Sequence, residues 1–155
     1  MIKIIEFYTD GSAHPNPGPG GYGIIGVENN NIFFVRSKQF EDSKVTNNEM
    51  EMKAILYVML NYGKFKPSPI VYSDSSYCVN TFNQWMFSWA NNNWMKSDKK
   101  KPENLELVQT YYDLYLKGYR IILKKVKGHV GEKYNELADK LATGKIKENG
   151  VLMNG

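Results

Sequence analysis

Apolar positions near the start of the chain are spaced for strands. Ile2, Ile4, Ile5, Phe7 and Tyr8 form an apolar, β-branched run that stops on Thr9-Asp10-Gly11-Ser12. Such a run reads as a central strand that delivers a carboxylate into a turn. Residues 22–27 and 32–38 read as two further strands joined by Glu28-Asn29-Asn30-Asn31, where asparagines tolerate left-handed backbone angles. The segment between, 11–21, is rich in proline and glycine and reads as a loop. The pattern predicts an antiparallel meander of three strands.

Helical spacing takes over at Thr46-Asn47-Asn48-Glu49, a capping-box pattern that predicts a helix to about Tyr62 and Gly63. At about 100° per residue, Glu51 shares a sector with Ile55, Val58 and Tyr62. It therefore lies on the stripe facing the sheet, or at its edge and in reach of solvent. A short apolar strand, 70–73, ends on Asp74, and Ser75-Ser76 opens a helix with Cys78, Phe82, Trp85 and Trp89 at core spacing. Asp74 is either an acid at a strand's carboxyl end or the cap of that helix. After a polar excursion, a helix over about 103–117 places Leu105, Val108, Tyr112 and Tyr115 on one face, and Gly118 ends it. The last strand, 120–126, runs into Lys127-Gly128-His129-Val130-Gly131, where a lone histidine sits on a glycine-flanked turn. The closing helix, about 132–143, has Leu137, Ala138, Leu141 and Ala142 as core, with Asn135 and Asp139 on its flank. One domain over 1–143 and a loosely ordered tail over 144–155 are expected.

Composition narrows the class. At 155 residues the chain is long enough for a single core of its own. Its one cysteine, Cys78, forms no internal bridge, no apolar run approaches a membrane span, and Met1-Ile2-Lys3 opens without a signal-peptide pattern. The cytoplasm is the expected location. A net charge of +4 and a pI near 9 suit a polyanionic partner without specifying one. Trp89, Trp94, Lys96, Lys99, Lys100 and Lys101 interleave aromatic and basic residues, a pattern that suits a nucleic-acid backbone as well as a solvated lysine run. The glycine-rich segment lacks the Gly-Lys-Ser/Thr ending of a phosphate loop, which excludes that mode of nucleoside triphosphate binding.

Strand-helix-strand connections place strands parallel. If the strand before Asp74 lies beside the first, Asp10 and Asp74 meet at adjacent carboxyl ends about 5 Å apart. Asp10 has a plain alternative as half of an Asp-Gly turn pair. Glu51 is driven toward the same end. Three converging carboxylates persist through raised pKa values or a bound cation. An all-carboxylate set selects Mg²⁺, with Mn²⁺ as a substitute. Two such ions about 3.5–4 Å apart support phosphodiester hydrolysis without a protein nucleophile.

Tyr8-Thr9-Asp10-Gly11-Ser12, Thr46-Asn47-Asn48-Glu49-Met50-Glu51, Ser73-Asp74-Ser75, Val126-Lys127-Gly128-His129 and Asn135-Glu136-Leu137-Ala138-Asp139 occur in this order. Each is weak alone, but the ordered set resembles type 1 ribonuclease H of the bacterial ribonuclease HI kind, from about Ile4 to Thr143. The resemblance implies an α/β ribonuclease H-like fold, a five-stranded mixed sheet of order 3-2-1-4-5 with helices on both faces. It also implies a metal-dependent endonuclease that cuts the RNA strand of RNA-DNA hybrids and works as a monomer. Asp10, Glu51, Asp74 and Asp139 resemble the family's four metal-binding acids. Asp139 enters by this route alone. His129 resembles a mobile histidine that assists proton transfer or product departure. Asn16, Asn47 and Asn48 match positions that contact the hybrid's minor groove, and Thr46 and Asn104 match positions that hold a phosphate of the DNA strand.

Two departures stand out. Ser76 occupies a position where the family often has glutamine, and it is too short for the same reach to a base edge. Between Trp89 and Trp94 this chain has Ala90-Asn91-Asn92-Asn93 where relatives carry basic residues. The outcome expected is weaker hybrid affinity with a shallower salt dependence. A DNA-cutting nuclease on the same sheet and a hybrid binder without catalysis are the rival readings.

Overall fold

The computed structural model describes residues 3–126 and 132–154. Five strands form one mixed sheet: β1 (Ile5–Ala13), β2 (Gly18–Glu28), β3 (Asn31–Val45), β4 (Ile70–Ser73) and β5 (Ile122–Lys125). Their order is β3-β2-β1-β4-β5, with β1, β2 and β3 antiparallel and β4 parallel to both β1 and β5. The β2–β3 turn uses Asn29 at φ 52° and Asn30 at φ 64°, left-handed angles that fit a tight hairpin. The segment 11–21 departs from the loop its composition suggests. Gly11 pairs with Tyr22, Ser12 with Gly21 and Ala13 with Gly20, so two extended strands take most of it. Glycine permits loops but does not forbid a ladder, since its amide and carbonyl pair like any other.

Helix α1 (Asn47–Tyr62) begins as the capping pattern requires, with Thr46 Oγ1 accepting from the Glu49 amide at 3.1 Å. After β4, Ser75 caps α2 (Ser76–Asn80) by accepting from the Cys78 amide, leaving Asp74 out of that role. A π-helical turn (Thr81–Trp85) follows, then α3 (Met86–Ala90). The wider turn inserts one residue into the helical register. Met86 therefore follows Phe82 into the core while Trp85, expected inside, is 37% exposed. In α4 (Leu105–Leu116) the buried residues are Val108 and Tyr111. Tyr111 stacks on Phe82 at 4.1 Å, which turns Tyr112 and Tyr115 from the expected core face to half-buried flanks.

Helices α1 to α4 cover one face of the sheet around Phe7, Ile24, Ile55 and Val71. The other face is covered by α5 (Glu132–Ala142) and α6 (Glu148–Asn154). The last of these corrects the expected loose tail: Val151 is fully buried, and the Glu148 carboxylate accepts from the Ser37 amide of β3 at 2.8 Å. His129 lies outside the described residues.

Candidate active site

The site is built where β1 and β4 end beside the start of α1. Asp10 comes from the middle strand, and its Oδ1 accepts from the Gly11 amide at 2.8 Å. Gly11 faces α1, and a side chain there would run into the helix backbone at Met50 and Glu51. Its absence lets α1 settle onto the strand and carries Glu51, only 2% exposed, beneath the acids of the sheet. Thr9 Oγ1 donates to Glu51 Oε1 at 2.7 Å. Glu51 Oε2 is buried without a hydrogen-bond partner. Asp74 stands at the exposed rim. One oxygen from each of Asp10, Glu51 and Asp74 lies within 4.8 Å of the others.

Crowding shows in the proton affinities. Burial, followed by the charges of Glu51 and Asp74 and a side-chain hydrogen bond from Asp139, pushes Asp10 up to about 9. Burial pushes Glu51 up to about 7, against the hydrogen bonds from Ser73 and Thr9. Asp74 is raised by burial and by the Asp139 charge, with its own backbone amide and Lys125 opposing.

Asp139 arrives on α5 from the opposite face of the sheet. Gly23, paired with Asp10 across β1 and β2, makes that approach possible because a side chain there would strike the Ala138 carbonyl. Two glycines thus bring two acid-bearing helices onto neighbouring strands. Of the four carboxylates named from motif order, Asp10, Glu51 and Asp74 form the cluster, and Asp139 stands near enough to act on Asp10 and Asp74; among the described residues the cluster's donors are all carboxylate oxygens. An unpartnered buried oxygen amid groups that resist ionisation is the environment a hard divalent cation relieves. The residues present fit such an ion.

The surrounding polar positions are placed as follows. Asn47 Oδ1 accepts from the Ala13 amide at 2.7 Å while its own amide donates to Asn16 Oδ1 at 3.1 Å, so the β1–β2 connection is tied to the start of α1. Thr46 Oγ1 accepts from Glu49 and keeps its own proton for another acceptor. Asn48 is half-buried, its carbonyl facing Cys78 Sγ at 3.8 Å, and Ser76 is exposed. The polar, basic segment from Trp89 to Lys101 forms a handle: Trp89 is buried, Trp94 packs edge-on against Tyr112 at 5.3 Å, and the Lys96 amide closes a turn onto the Lys100 carbonyl with Lys99 at φ 66°. Asn104 precedes α4 at φ 57° with no capping bond from its side chain. An open groove of about 410 Å³ is lined by Tyr77, Trp85, Trp89, Lys96, Ser97 and Glu103. Tyr77 and Trp85 escaped the sequence reading as surface residues, because the π-helical turn that exposes Trp85 leaves no mark in the hydrophobic spacing.

A family model described as RNase H matches residues 3–147. The chain belongs to the RNase H family, as a type 1 ribonuclease H. It is 38% identical over 154 residues to the ribonuclease H of Thermoanaerobacter sp. (strain X514), which covers 96% of this chain and 93% of that protein. Among solved structures, it is similar to a foamy viral protease-reverse transcriptase in complex with double-stranded DNA, at TM-score 0.77 and 25% identity over 90% of this chain and 91% of that one. It is also similar in fold to LC11-RNase H1 in complex with an RNA/DNA hybrid, at TM-score 0.64 and 20% identity over 96% and 99% of the two chains. The ribonuclease H match ends at residue 147, just before α6.

Proposed function

We propose that this ribonuclease H is an endonuclease that hydrolyses the RNA strand of RNA-DNA hybrids at a centre formed by Asp10, Glu51, Asp74 and Asp139. Mg²⁺ is the ion assigned, two being held with substrate present, and Mn²⁺ is its substitute. The observation that carries this reading is the buried, unpartnered Glu51 Oε2 in a residue that clusters with Asp10 and Asp74, one oxygen of each lying within 4.8 Å of the others. When bound, divalent ions at such a centre supply Lewis acidity to the phosphodiester and to the attacking water.

The chain's own groups do the rest. Thr9 holds one oxygen of the Glu51 carboxylate and leaves the other without a protein partner. Asp74 at the rim and Asp139 on α5 stand on the exposed side of Asp10 and Glu51. His129 is assigned the proton that leaves with the product. Asn16, Asn47 and Asn48 present amides to the minor groove, where contact with a 2'-hydroxyl separates RNA from DNA. Thr46 and Asn104 hold a DNA-strand phosphate. Ser76 gives a shorter reach beside them, and Trp89, Trp94, Lys96, Lys99 and Lys100 support the duplex from the handle.

Digestion of an end-labelled RNA-DNA hybrid, beside single-stranded RNA and double-stranded DNA, tests the proposal, with Asp10→Asn as control. Products in the hybrid lane alone, abolished by the substitution, are expected. Preferential cutting of duplex DNA, or tight hybrid binding without cutting in either metal, would overturn it.

A further inference from the structure

We propose that Tyr134 is a positioning residue that holds the first turn of α5, so that Asp139 stays in reach of Asp10. The inference rests on the metal-dependent nuclease reading above and extends it to a residue outside the centre.

The two ends of α5 are held differently. Its carboxyl end is fixed by close packing on Gly23, by Ser37 Oγ donating to the Leu141 carbonyl at 3.0 Å, and by Gln39 Nε2 donating to the same carbonyl at 2.9 Å. At its amino end the described contacts run through Tyr134. The ring lies 5.3 Å from that of Tyr8, and Tyr8 stacks on Tyr72 at 4.9 Å. The Tyr134 hydroxyl donates to the Asn30 carbonyl in the β2–β3 turn at 3.1 Å, and Tyr72 in turn donates to Glu6 at 3.0 Å.

Every ring in this stack lies on an element that carries or leads directly into an acid of the site. Tyr8 is two residues before Asp10 on β1, and Tyr72 is two before Asp74 at the end of β4. Residues two apart in a strand point to one face, so the Tyr8 ring lies on the same side of β1 as the Asp10 carboxylate, and Tyr72 joins it in the cluster that α5 covers. Tyr134 is five residues before Asp139. The stack therefore ties together the three elements whose acids meet, and its loosening at Tyr134 frees Asp139 while leaving Glu51, held by Thr9 on the other face, undisturbed.

The test compares Tyr134→Ala and Tyr134→Phe with the wild type in calorimetric Mn²⁺ titration and in the Mn²⁺ concentration for half-maximal hybrid cleavage. Tyr134→Ala is expected to weaken both by about tenfold, the scale of lost support behind a metal ligand, with the KM for hybrid little changed. Tyr134→Phe keeps the ring and retains most of the binding. In an Asp139→Asn background, Tyr134→Ala adds nothing further. Val108→Ala, a core change in α4 far from the stack, is the control for lowered stability and leaves Mn²⁺ binding unchanged. If Tyr134→Ala does not fold, Tyr134→Leu is judged by the same criteria. Wild-type Mn²⁺ binding by both Tyr134→Ala and Tyr134→Leu, equal losses in Val108→Ala, or additive losses with Asp139→Asn would overturn the inference. A wild type that neither binds Mn²⁺ nor cuts hybrid would instead sink the nuclease reading beneath it.

Discussion

The acid cluster and the handle are held by opposite means. At the cluster each carboxylate is carried by a regular element whose approach is fixed by packing: α1 against Gly11, α5 against Gly23, β4 beside β1. The handle, between α3 and α4, is shaped by turns. Asn93, Trp94, Lys99 and Asn104 all take positive φ angles, and its lysines make no ion pair among the described residues. The acids are thus placed by elements packed closely at Gly11 and Gly23, where an added side chain has no room, whereas the proposed grip on the substrate rests on exposed turns that accept change. The two properties should respond separately to mutation.

The sharpest separation is expected from Gly11→Ala. The added methyl meets the α1 backbone at Glu51, so α1 must retreat. Overpacking of this kind costs about 2–3 kcal/mol, and displacement of Glu51 should remove nearly all cleavage while hybrid binding, measured by fluorescence anisotropy in Ca²⁺, falls far less.

The metal-free protein should pay for its gathered carboxylates in a pH-dependent way. Asp10 and Glu51 have folded pKa values raised to about 9 and about 7, so the fold binds protons that the unfolded chain has released. Their stabilising contribution is complete below about pH 4 and is lost as pH rises through 7 and on to 9. Thermal unfolding in chelator should therefore show stability from these groups falling across that window and Mn²⁺ restoring it. At pH 8, Asp10→Asn should be more stable than wild type by about 1–3 kcal/mol. A variant no more stable than wild type would mean that these charges are not in conflict.

The smallest effect belongs to the handle. Asn91→Lys with Asn92→Lys should leave kcat unchanged and steepen the plot of log affinity against log salt by about 1–2, since each phosphate neutralised adds roughly 0.9 to the slope. An unchanged slope would place the hybrid away from this segment.

The same contrast explains what could be read from the chain without coordinates. Asp10 closes the apolar run of β1, Glu51 lies on a buried stripe and Asp74 follows directly on β4, and the pattern along the chain located all three, although β1 continues past Asp10 to Ala13. Asp139 is an exposed residue on a helix flank, with no local signal, and motif order alone named it. The sheet order followed from the family resemblance, whereas the strand lengths did not, because residues 11–21 read as a loop and most of them lie in the β1–β2 ladder. Trp85 was misplaced by a π-helical turn, and in α4 Val108 is buried as expected while Tyr111, rather than Tyr112 and Tyr115, joins it in the core. Spacing records which side of an ideal helix a residue occupies: the π-helical turn departs from that ideal, and in α4 the adjacent Tyr111 and Tyr112 offer two neighbouring faces between which spacing does not choose.

Strand β3 forms one border of the sheet and is fifteen residues long. A border of that length offers unpaired amides to any extended chain nearby, the usual opening for intermolecular ladders. The carboxylate of Glu148 occupies one of those amides, and Val151 is buried against the same side of the sheet. Beyond its modest share of the core, the terminal helix thus serves as a hem. A chain clipped ahead of it would first lose its resistance to self-association at high concentration, before it lost the capacity to fold.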